Sequence, residues 1–482
     1  MSETTTRTLA RFVVETRVSD LPEAVLDGAC NAVIDTLGVA LAGSLEPVAG
    51  IAARWVSALD AKPTVTVWGR RLATSASEAA FANGVASHAL DFDDSHPGAR
   101  GHASATLVPA ALAAGEVARA SGREVLAAYA LGLEVAGKIG RAFGAGHLQR
   151  GWHPTATIGV LGATAAAARL AGLDVDELQR AWGLAASQMS GLVRNFGTMV
   201  KPFHAGQAAR CGVLSAWLAR EGLTADGAIF DGKGGVLDTY RGADGQPMDE
   251  LLGRLGRPWE VIEPGNYVKR WPCCYSGHRA VGGLFELIER HLLQADEISE
   301  VAIGFLPGGD SALVSRDPQT GLEGKFSIEY VAAATLLDRR LTLETFTDAM
   351  VRRPQARELM RKVRRYAIAD DKLYSGITGY NDLAVTTPRG RFELRVDRVP
   401  GSPAWPLTEE DRLGKFMDCA ARVLGAAGAA RLLELARRCR ALPGIRALTR
   451  ATVPPGQPRQ ERAAARTRTA VPKKNVTGRS VT

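Results

Sequence analysis

The chain has 482 residues, a length that favours more than one domain. Its apolar content of 46% is ordinary for a soluble globular protein, and its formal net charge is +8. From Thr452 onward the chain carries seven Lys/Arg and one Glu, a net of +6, which leaves +2 for the body. This balance excludes nucleic-acid binding by the body on grounds of charge. The basic C-terminal segment is either a dispensable extension or a non-specific binder of nucleic acid.

The chain shows no membrane or secretion signal. No stretch of about eighteen apolar residues lacks a charge, and the N-terminus lacks an apolar segment, so we expect a cytoplasmic protein with no membrane contact. Six cysteines are scattered without a CxxC pair, which favours reduced, structural thiols.

Helical patterns dominate the first part of the chain. Asp20-Leu-Pro-Glu carries helix-start signals, and apolar residues then recur at helical spacing up to Leu41. Residues 64–68 alternate and predict a short extended piece. Further helices are predicted at 75–89, 106–120, 124–139, 155–170, 176–189 and 205–220. The density of Ala and Gly predicts close helix packing in an all-helical domain over residues 1–271.

The pattern changes after Trp271. Residues 298–306 and 363–368 alternate like strands, and 383–387 and 391–396 flank Pro388-Arg389-Gly390 as a hairpin would. Helices are predicted at 326–337 and 343–351. We therefore predict a smaller α+β domain over 272–400, a helical return at 401–450 and a disordered basic tail at 451–482.

One polar stretch lies between two predicted apolar helices. Pro97, Gly98 and Gly101 rule out a regular element there, so the stretch is a loop. Its reactive side chains are His88, Asp91, Asp93, Asp94, His96 and His102. Loops held by packed helices often carry catalytic groups, although solvated aspartates that cap the next helix are an equal alternative.

Three further segments concentrate reactive groups. His153 precedes Pro154 at a helix start, where the helix dipole favours the neutral imidazole. Lys201 and His204 flank Pro202 and can reach a possible anion site before another helix. Residues 267–278 lie at the predicted domain junction, where clefts are common. The alternatives for these three segments are, in the same order, a surface histidine, an ordinary polar connection and structural cysteines.

Six of the eight histidines fall in these four segments. Several imidazoles with a lysine and aspartates suit a small polyanion and proton transfer at its carbon. The adjacent Cys273 and Cys274 suit a metal poorly, and the chain has neither a Walker loop nor a dinucleotide-binding fingerprint after a strand. Metal-binding and phosphate-binding interpretations are therefore weaker.

These motifs resemble the MmgE/PrpD family, which includes 2-methylcitrate dehydratase, cis-aconitate decarboxylase and iminodisuccinate epimerase. The resemblance covers about residues 9–442. The matching motifs are His88-Ala-Leu-Asp-Phe-Asp-Asp-Ser95 with His102, Gly151-Trp-His-Pro154, Lys201-Pro-Phe-His-Ala-Gly206, Lys269-Arg-Trp-Pro-Cys-Cys274 with His278, and Gly321-Leu-Glu-Gly-Lys-Phe-Ser-Ile-Glu-Tyr330.

The resemblance implies a mostly α protein, with a large helical domain built from both chain ends and an inserted α+β lid. It also implies a homodimer and cofactor-free catalysis in a cleft between the domains. The predicted catalytic residues are Asp91, His102, His153, Lys201 and His278. The predicted substrate-binding residues are Ser95, His204, Lys269, Arg270 and Tyr330.

The expected function is a hydro-lyase that dehydrates a small di- or tricarboxylate resembling 2-methylcitrate. Decarboxylation of a cis-aconitate-like acid and epimerisation of an iminodisuccinate-like acid are the alternatives within the family. Each reaction develops negative charge next to a carboxylate, so the same cations and proton donors serve all three. The alternative from a different functional class is a binding protein that has the same fold but no catalytic activity.

Overall fold

A computed structural model describes residues 3–374 and 378–456. Its helices, in chain order, are α1 Thr5–Glu15, α2 Glu23–Gly43, α3 Pro47–Ala58, α4 Ala76–His88, α5 Ala103–Ala118, α6 Gly122–Phe143, α7 Gly146–Gln149, α8 Pro154–Ala171, α9 Val175–Ala186, α10 Val200–Arg220, α11 Val236–Tyr240, α12 Met248–Leu252, α13 His278–His291, α14 Gly321–Gly324, α15 Ile328–Asp338, α16 Asp348–Arg352, α17 Pro354–Met360, α18 Glu409–Arg437 and α19 Arg446–Arg450. The strands are β1 Val65–Val67, β2 Leu72–Thr74, β3 Glu300–Phe305, β4 Val363–Ala367, β5 Asn381–Thr387 and β6 Gly390–Val396. The mostly α prediction is confirmed.

Small residues set the packing of the helical body. A Cβ added at Gly84 of α4 would lie 2.8 Å from the Cα of Gly206 in α10. A Cβ added at Gly132 of α6 would lie 2.7 Å from the carbonyl oxygen of Gly162 in α8. No methyl group fits at such distances, so these glycines let the helix backbones touch. The close packing predicted from composition is thus present.

The α2 helix forms part of the body's core. It packs against α4 and α18, and most of its side chains are buried. By length and composition α2 could also cross a membrane, but 67% of its apolar window is buried inside the protein. A buried core helix can have the same length and apolar composition as a membrane-spanning one.

A second hydrophobic cluster surrounds a four-stranded sheet with the order β4-β3-β5-β6. β3 pairs in parallel with β4 and antiparallel with β5. β5 and β6 form the predicted hairpin, which Thr387 and Gly390 close. α13 packs on β5 and β6, and α15 contacts β4. The domain boundaries and a lid role for this region stay predictions, as does the homodimer.

The structure corrects several predicted bounds. The helix predicted at 343–351 is two pieces, a 3-10 turn at Leu343–Phe346 and then α16, because Thr347 is extended and caps the second piece. α10 begins at Val200, five residues before the predicted start, so Lys201 and His204 lie in its first turns.

The C-terminal segment also differs from its prediction. Residues 451–456 belong to the folded body, where the carbonyl oxygen of the buried Thr452 accepts a hydrogen bond from the backbone of Gly69. The rest of the predicted disordered tail, 457–482, lies outside the described residues. All six cysteines are free and buried, which fits their predicted structural role.

Candidate active site

The loop between α4 and α5 is held by lysines from distant parts of the chain. Three successive backbone carbonyl oxygens each accept a hydrogen bond from a different ammonium group. The pairs are Leu90 with Lys325 at 2.8 Å, Asp91 with Lys269 at 2.7 Å and Phe92 with Lys415 at 2.8 Å. Asp91 has a φ of 51°, in the left-handed region that residues other than glycine rarely adopt. These remote contacts hold that strained backbone in place.

The Asp91 carboxylate lies between two ammonium groups. Its Oδ1 is 2.6 Å from the Nζ of Lys201 and 3.0 Å from the Nζ of Lys269. Burial raises the pKa of this carboxyl, but the two lysines lower it far below its usual range. Burial also opposes the charge on Lys269, yet Asp91 and Asp93 raise its pKa. Asp91 is therefore ionised, and its buried Oδ2 has no hydrogen-bond partner among the described residues.

Asp93 is fully buried and orients two histidines. Its Oδ1 and Oδ2 lie 2.9 Å and 3.0 Å from Nδ1 of His88, and Oδ2 lies 3.2 Å from Nδ1 of His102. Nδ1 of His102 also lies 2.9 Å from the carbonyl oxygen of Asp94. Carboxylate and carbonyl oxygens only accept, so both rings carry a proton on Nδ1. Burial lowers the pKa of both imidazoles, that of His88 to about 3, so their Nε2 atoms are unprotonated at neutral pH and can accept hydrogen bonds.

His153 and His204 form a second imidazole pair. Their Nδ1 atoms are 3.0 Å apart, so one donates and the other accepts. Burial and the charge of Lys201 lower both pKa values, that of His204 to about 4. Nε2 of His153 is buried and has no hydrogen-bond partner among the described residues. That nitrogen is free to exchange a proton with a ligand.

These groups surround a small cavity of about 70 Å³. Its walls come from the loop, from the starts of α8 and α10, and from the segment before α13. The lining residues are Ser95, Arg100, Gly101, His102, Leu148, His153, Pro154, Thr155, Phe196, Lys201, Cys274, Tyr275, Ser276 and Ala312. Two cationic side chains, two imidazoles and several hydroxyl groups therefore converge on one space, which is the chemistry that a polycarboxylate requires.

The predicted site residues divide into three groups. Ser95, His102, His153 and Lys201 line the cavity. Asp91, Lys269 and His204 lie directly behind it, bonded to the lining residues or to each other.

The remaining three predicted residues lie elsewhere. His278 is buried between the backbone of Trp271 and that of Cys274. Arg270 is partly exposed, 3.8 Å from Asp411 at a different cavity. The hydroxyl of Tyr330 donates to the carbonyl oxygen of Thr345 inside the second hydrophobic cluster, so this tyrosine packs the core and is not placed to bind substrate.

Sequence reasoning assigned no role to several residues that the structure brings to the site. Arg100, Tyr275 and Ser276 line the cavity, and His88 and Asp93 support it from behind. All five stand inside the segments already singled out by their polar residues. Selection by residue type noted His88 and Asp93 as reactive without giving them a role, and it passed over the other three. A rule that treats each whole segment as cavity wall would have found those three.

A metal ion is one conceivable occupant of this cluster. His88, Asp91, Asp93 and His102 offer donor atoms that lie within 4.8 Å of one another. Both carboxylates of this set already have charged or donor partners, however, because Asp91 bonds two lysines and Asp93 bonds two histidines. A dication would sit against two ammonium groups, so this donor set suits a metal poorly.

Comparison with known proteins agrees with the geometry. The MmgE/PrpD N-terminal domain matches residues 7–248, and the MmgE/PrpD C-terminal domain matches residues 271–440. A cis-aconitate decarboxylase of Homo sapiens is 29% identical over 472 residues, which cover 95% of this chain and 96% of the relative. That of Mus musculus is 30% identical over 440 residues, 88% of each chain. A cis-aconitate decarboxylase of Aspergillus terreus is 28% identical over 368 residues, 71% of this chain and 74% of the relative. On these matches, which span nearly all of the described body, the chain belongs to the MmgE/PrpD family.

Proposed function

We propose that this protein is a carboxy-lyase that decarboxylates cis-aconitate or a closely related unsaturated tricarboxylate. The observation that carries the proposal is the small cavity that Lys201, Arg100, His102 and His153 line together. The decarboxylase names of the relatives favour this reaction over the dehydration that we expected first.

The reaction needs a place for an electron pair. cis-Aconitate carries one carboxylate on a saturated carbon beside its double bond. When that carboxylate leaves as CO₂, the electrons of the broken C–C bond enter an allyl system that ends next to another carboxylate. A proton added at that end gives methylenesuccinate, so the trianion and one proton become a dianion and CO₂. The barrier depends on how well the enzyme stabilises the charge spread over the allyl system and its carboxylate.

The cavity residues supply that stabilisation. Lys201 and Arg100 are positioned to hold carboxylates of the substrate, and each well-aimed electrostatic contact contributes about 3 kcal/mol to the transition state. His102 and His153 are the proton donors that face the same space. Their neutral resting state changes on binding, because a nearby polyanion raises an imidazole pKa. The phenyl ring of Phe196 and the thiol of Cys274 make part of the wall apolar, which favours loss of a charged carboxylate as neutral CO₂.

We expect the cavity to enlarge when this substrate binds. Its volume of about 70 Å³ is small beside the pockets that usually hold small-molecule ligands. Its walls include Ser276 and Ala312 from the region after Trp271 and His153 and Lys201 from the helical body. We therefore expect substrate to enter when the region after Trp271 moves away from the helical body.

The test is incubation of the purified protein in D₂O, separately with cis-aconitate, 2-methylcitrate, citrate and iminodisuccinate, followed by proton NMR. Decarboxylation of cis-aconitate through the allyl system places one deuterium on the methylene beside a carboxylate. Direct loss of the carboxylate from the CH carbon of the double bond places the deuterium on the terminal =CH₂ group instead. Water loss from 2-methylcitrate would replace the proposal with a hydro-lyase, and exchange with iminodisuccinate would replace it with an epimerase. No reaction with any of the four acids would overturn it.

A further inference from the structure

The ammonium group of Lys201 has two fixed partners. Nζ lies 2.6 Å from Oδ1 of Asp91 and 2.8 Å from Nε2 of His88. The rings of Phe196 and Phe326 flank it, with centroids 5.3 Å and 5.1 Å away. An ammonium group has three N–H bonds, so two are occupied here and one remains for the cavity that Lys201 lines. The direction of that third bond depends on the two partners.

His88 can accept from Lys201 only in one protonation state. Nε2 must hold a lone pair, which requires the ring proton to be on Nδ1. Asp93 enforces this tautomer, because both of its oxygens lie within 3.0 Å of Nδ1 and can only accept. The neutral state of the buried ring agrees with its lowered pKa of about 3. The order of the hydrogen bonds is therefore fixed from Asp93 through His88 to Lys201.

We propose that Asp93 and His88 form a positioning relay that aims the remaining N–H of Lys201 into the cavity. Its catalytic consequence rests on the proposed decarboxylase function, in which that N–H holds a substrate carboxylate. His88 is 1% exposed and does not line the cavity, so it acts through Lys201 and not on the substrate. Asp93 has a second task, since the same carboxylate orients His102, which lines the cavity, and leaves Nε2 of that ring unprotonated.

The first test is kinetic and uses cis-aconitate with the full-length protein. His88→Phe keeps a ring but removes the acceptor, and we expect kcat to fall about 100-fold with KM changed less than about tenfold. His88→Gln returns an acceptor oxygen near the position of Nε2 and should recover about tenfold of the loss. Asp93→Asn can donate to Nδ1 and so favours the wrong tautomer of His88, which should cost at least as much as His88→Phe.

The control variant is His147→Gln. His147 is also a buried histidine with two partners, the carbonyl oxygen of Tyr240 at 3.1 Å and the hydroxyl of Thr157 at 2.8 Å, but it has no hydrogen bond with a lysine among the described residues. We expect its kcat within about twofold of the parent. Full activity of His88→Phe would overturn the relay. Equal losses in His88→Phe and His88→Gln would also overturn it, because they would show a role in packing alone.

The second test needs no turnover. In protein labelled with ¹⁵N histidine, long-range ¹⁵N–¹H spectra should show His88 with a protonated Nδ1 and a hydrogen-bonded, unprotonated Nε2. Asp93→Asn should move the proton to Nε2, and Lys201→Met should shift the Nε2 signal without moving the proton. A His88 protonated on Nε2 in the parent protein would overturn the relay even if decarboxylation is confirmed. The expected pattern in a protein inactive on all four acids would instead overturn only the proposed function.

Discussion

Two buried charge clusters in the helical body have the same ingredients and different connections. We call the one around Asp91, Lys201 and Lys269 the cavity cluster. The other, the Glu260 cluster, consists of Glu134, Lys138, Arg141 and Glu260. Each contains carboxylates and cations taken out of water, which is costly unless every charge has a partner.

The Glu260 cluster satisfies its carboxylates completely. Glu260 accepts from Lys138 at 2.9 Å and from Arg141 at 2.9 Å and 3.1 Å. Both oxygens of Glu134 accept from backbone N–H groups, and one also meets Lys138 at 3.0 Å. The cavity cluster, in contrast, leaves Oδ2 of Asp91 and Nε2 of His153 without partners among the described residues. Buried charges with complete partners indicate structure, whereas unsatisfied ones beside a cavity indicate a place for a ligand.

The largest predicted effect is the loss of turnover in Lys201→Ala. We expect kcat on cis-aconitate to fall about 1,000-fold or more, because a fixed cation is removed from the developing negative charge. The fold should persist, since Lys269 still lies 3.0 Å from Asp91 and compensates its charge. Steady-state kinetics with thermal unfolding checks both statements. Full activity would remove Lys201 from the mechanism.

The Glu260 cluster should respond in the opposite way. Lys138→Met keeps the side-chain length but leaves Glu134 without its cation, so we expect the free energy of unfolding to fall by about 3 kcal/mol. The kcat of the remaining folded enzyme should stay within about twofold, since Lys138 does not line the cavity. Denaturant unfolding measures the change in stability, and steady-state kinetics on the same sample measures kcat. A selective loss of kcat with unchanged stability would erase the distinction between the two clusters.

Acid should destabilise the protein through its buried histidines. Burial lowers the folded-state pKa of His88 and His278 to about 3 and that of His147 and His204 to about 4, against about 6.5 in an unfolded chain. The unfolded state therefore binds more protons below pH 6.5, and stability falls by up to about 1.4 kcal/mol per pH unit for each histidine as pH drops.

Asp94 opposes that trend. Burial raises its pKa to about 7, so its contribution to stability is present at low pH and is lost as pH rises towards 7. Among the described residues seven buried histidines have lowered pKa values, and four carboxyls, those of Asp35, Asp94, Glu116 and Glu134, have raised ones, so the histidines dominate. Asp94→Asn should therefore steepen the loss of stability with falling pH by about one proton. Unfolding midpoints measured from pH 7.5 to 4.5 check both slopes. Stability that stays flat over this range would contradict the assignment of neutral buried histidines.

The smallest predicted effect is proton uptake on ligand binding. A tricarboxylate that cannot decarboxylate, such as tricarballylate, should raise the pKa of His102 and His153 from their lowered values. We expect a fraction of a proton to be taken up at pH 7, visible as a binding enthalpy that changes with the ionisation enthalpy of the buffer. His153→Gln should reduce the uptake, and an enthalpy independent of buffer would argue against charged imidazoles in the complex.

Local patterns anticipated much of this protein. The helices around the loop and the hairpin at Pro388-Arg389-Gly390 are present in the structure, and each of the four polar segments contributes residues to the cavity wall. These features depend on neighbours a few residues apart, whose periodicity and turn chemistry are visible in the chain itself. The prediction of Tyr330 as a substrate contact rests on a matching motif, and a motif says nothing about which way a side chain points in the assembled core, where the hydroxyl of Tyr330 donates to the carbonyl oxygen of Thr345.

The sequence by itself determined the mostly α character, the reactive residue types and the family. Tertiary structure decided how those residues act. Lys201 lies 110 residues from Asp91 in the chain, yet their charged atoms are 2.6 Å apart. Lys269 and Lys325 reach the same loop from positions still more distant. Which ammonium meets which carboxylate, which nitrogen of His88 carries its proton and which oxygen stays free depend on how distant helices pack, and local periodicity does not encode that packing.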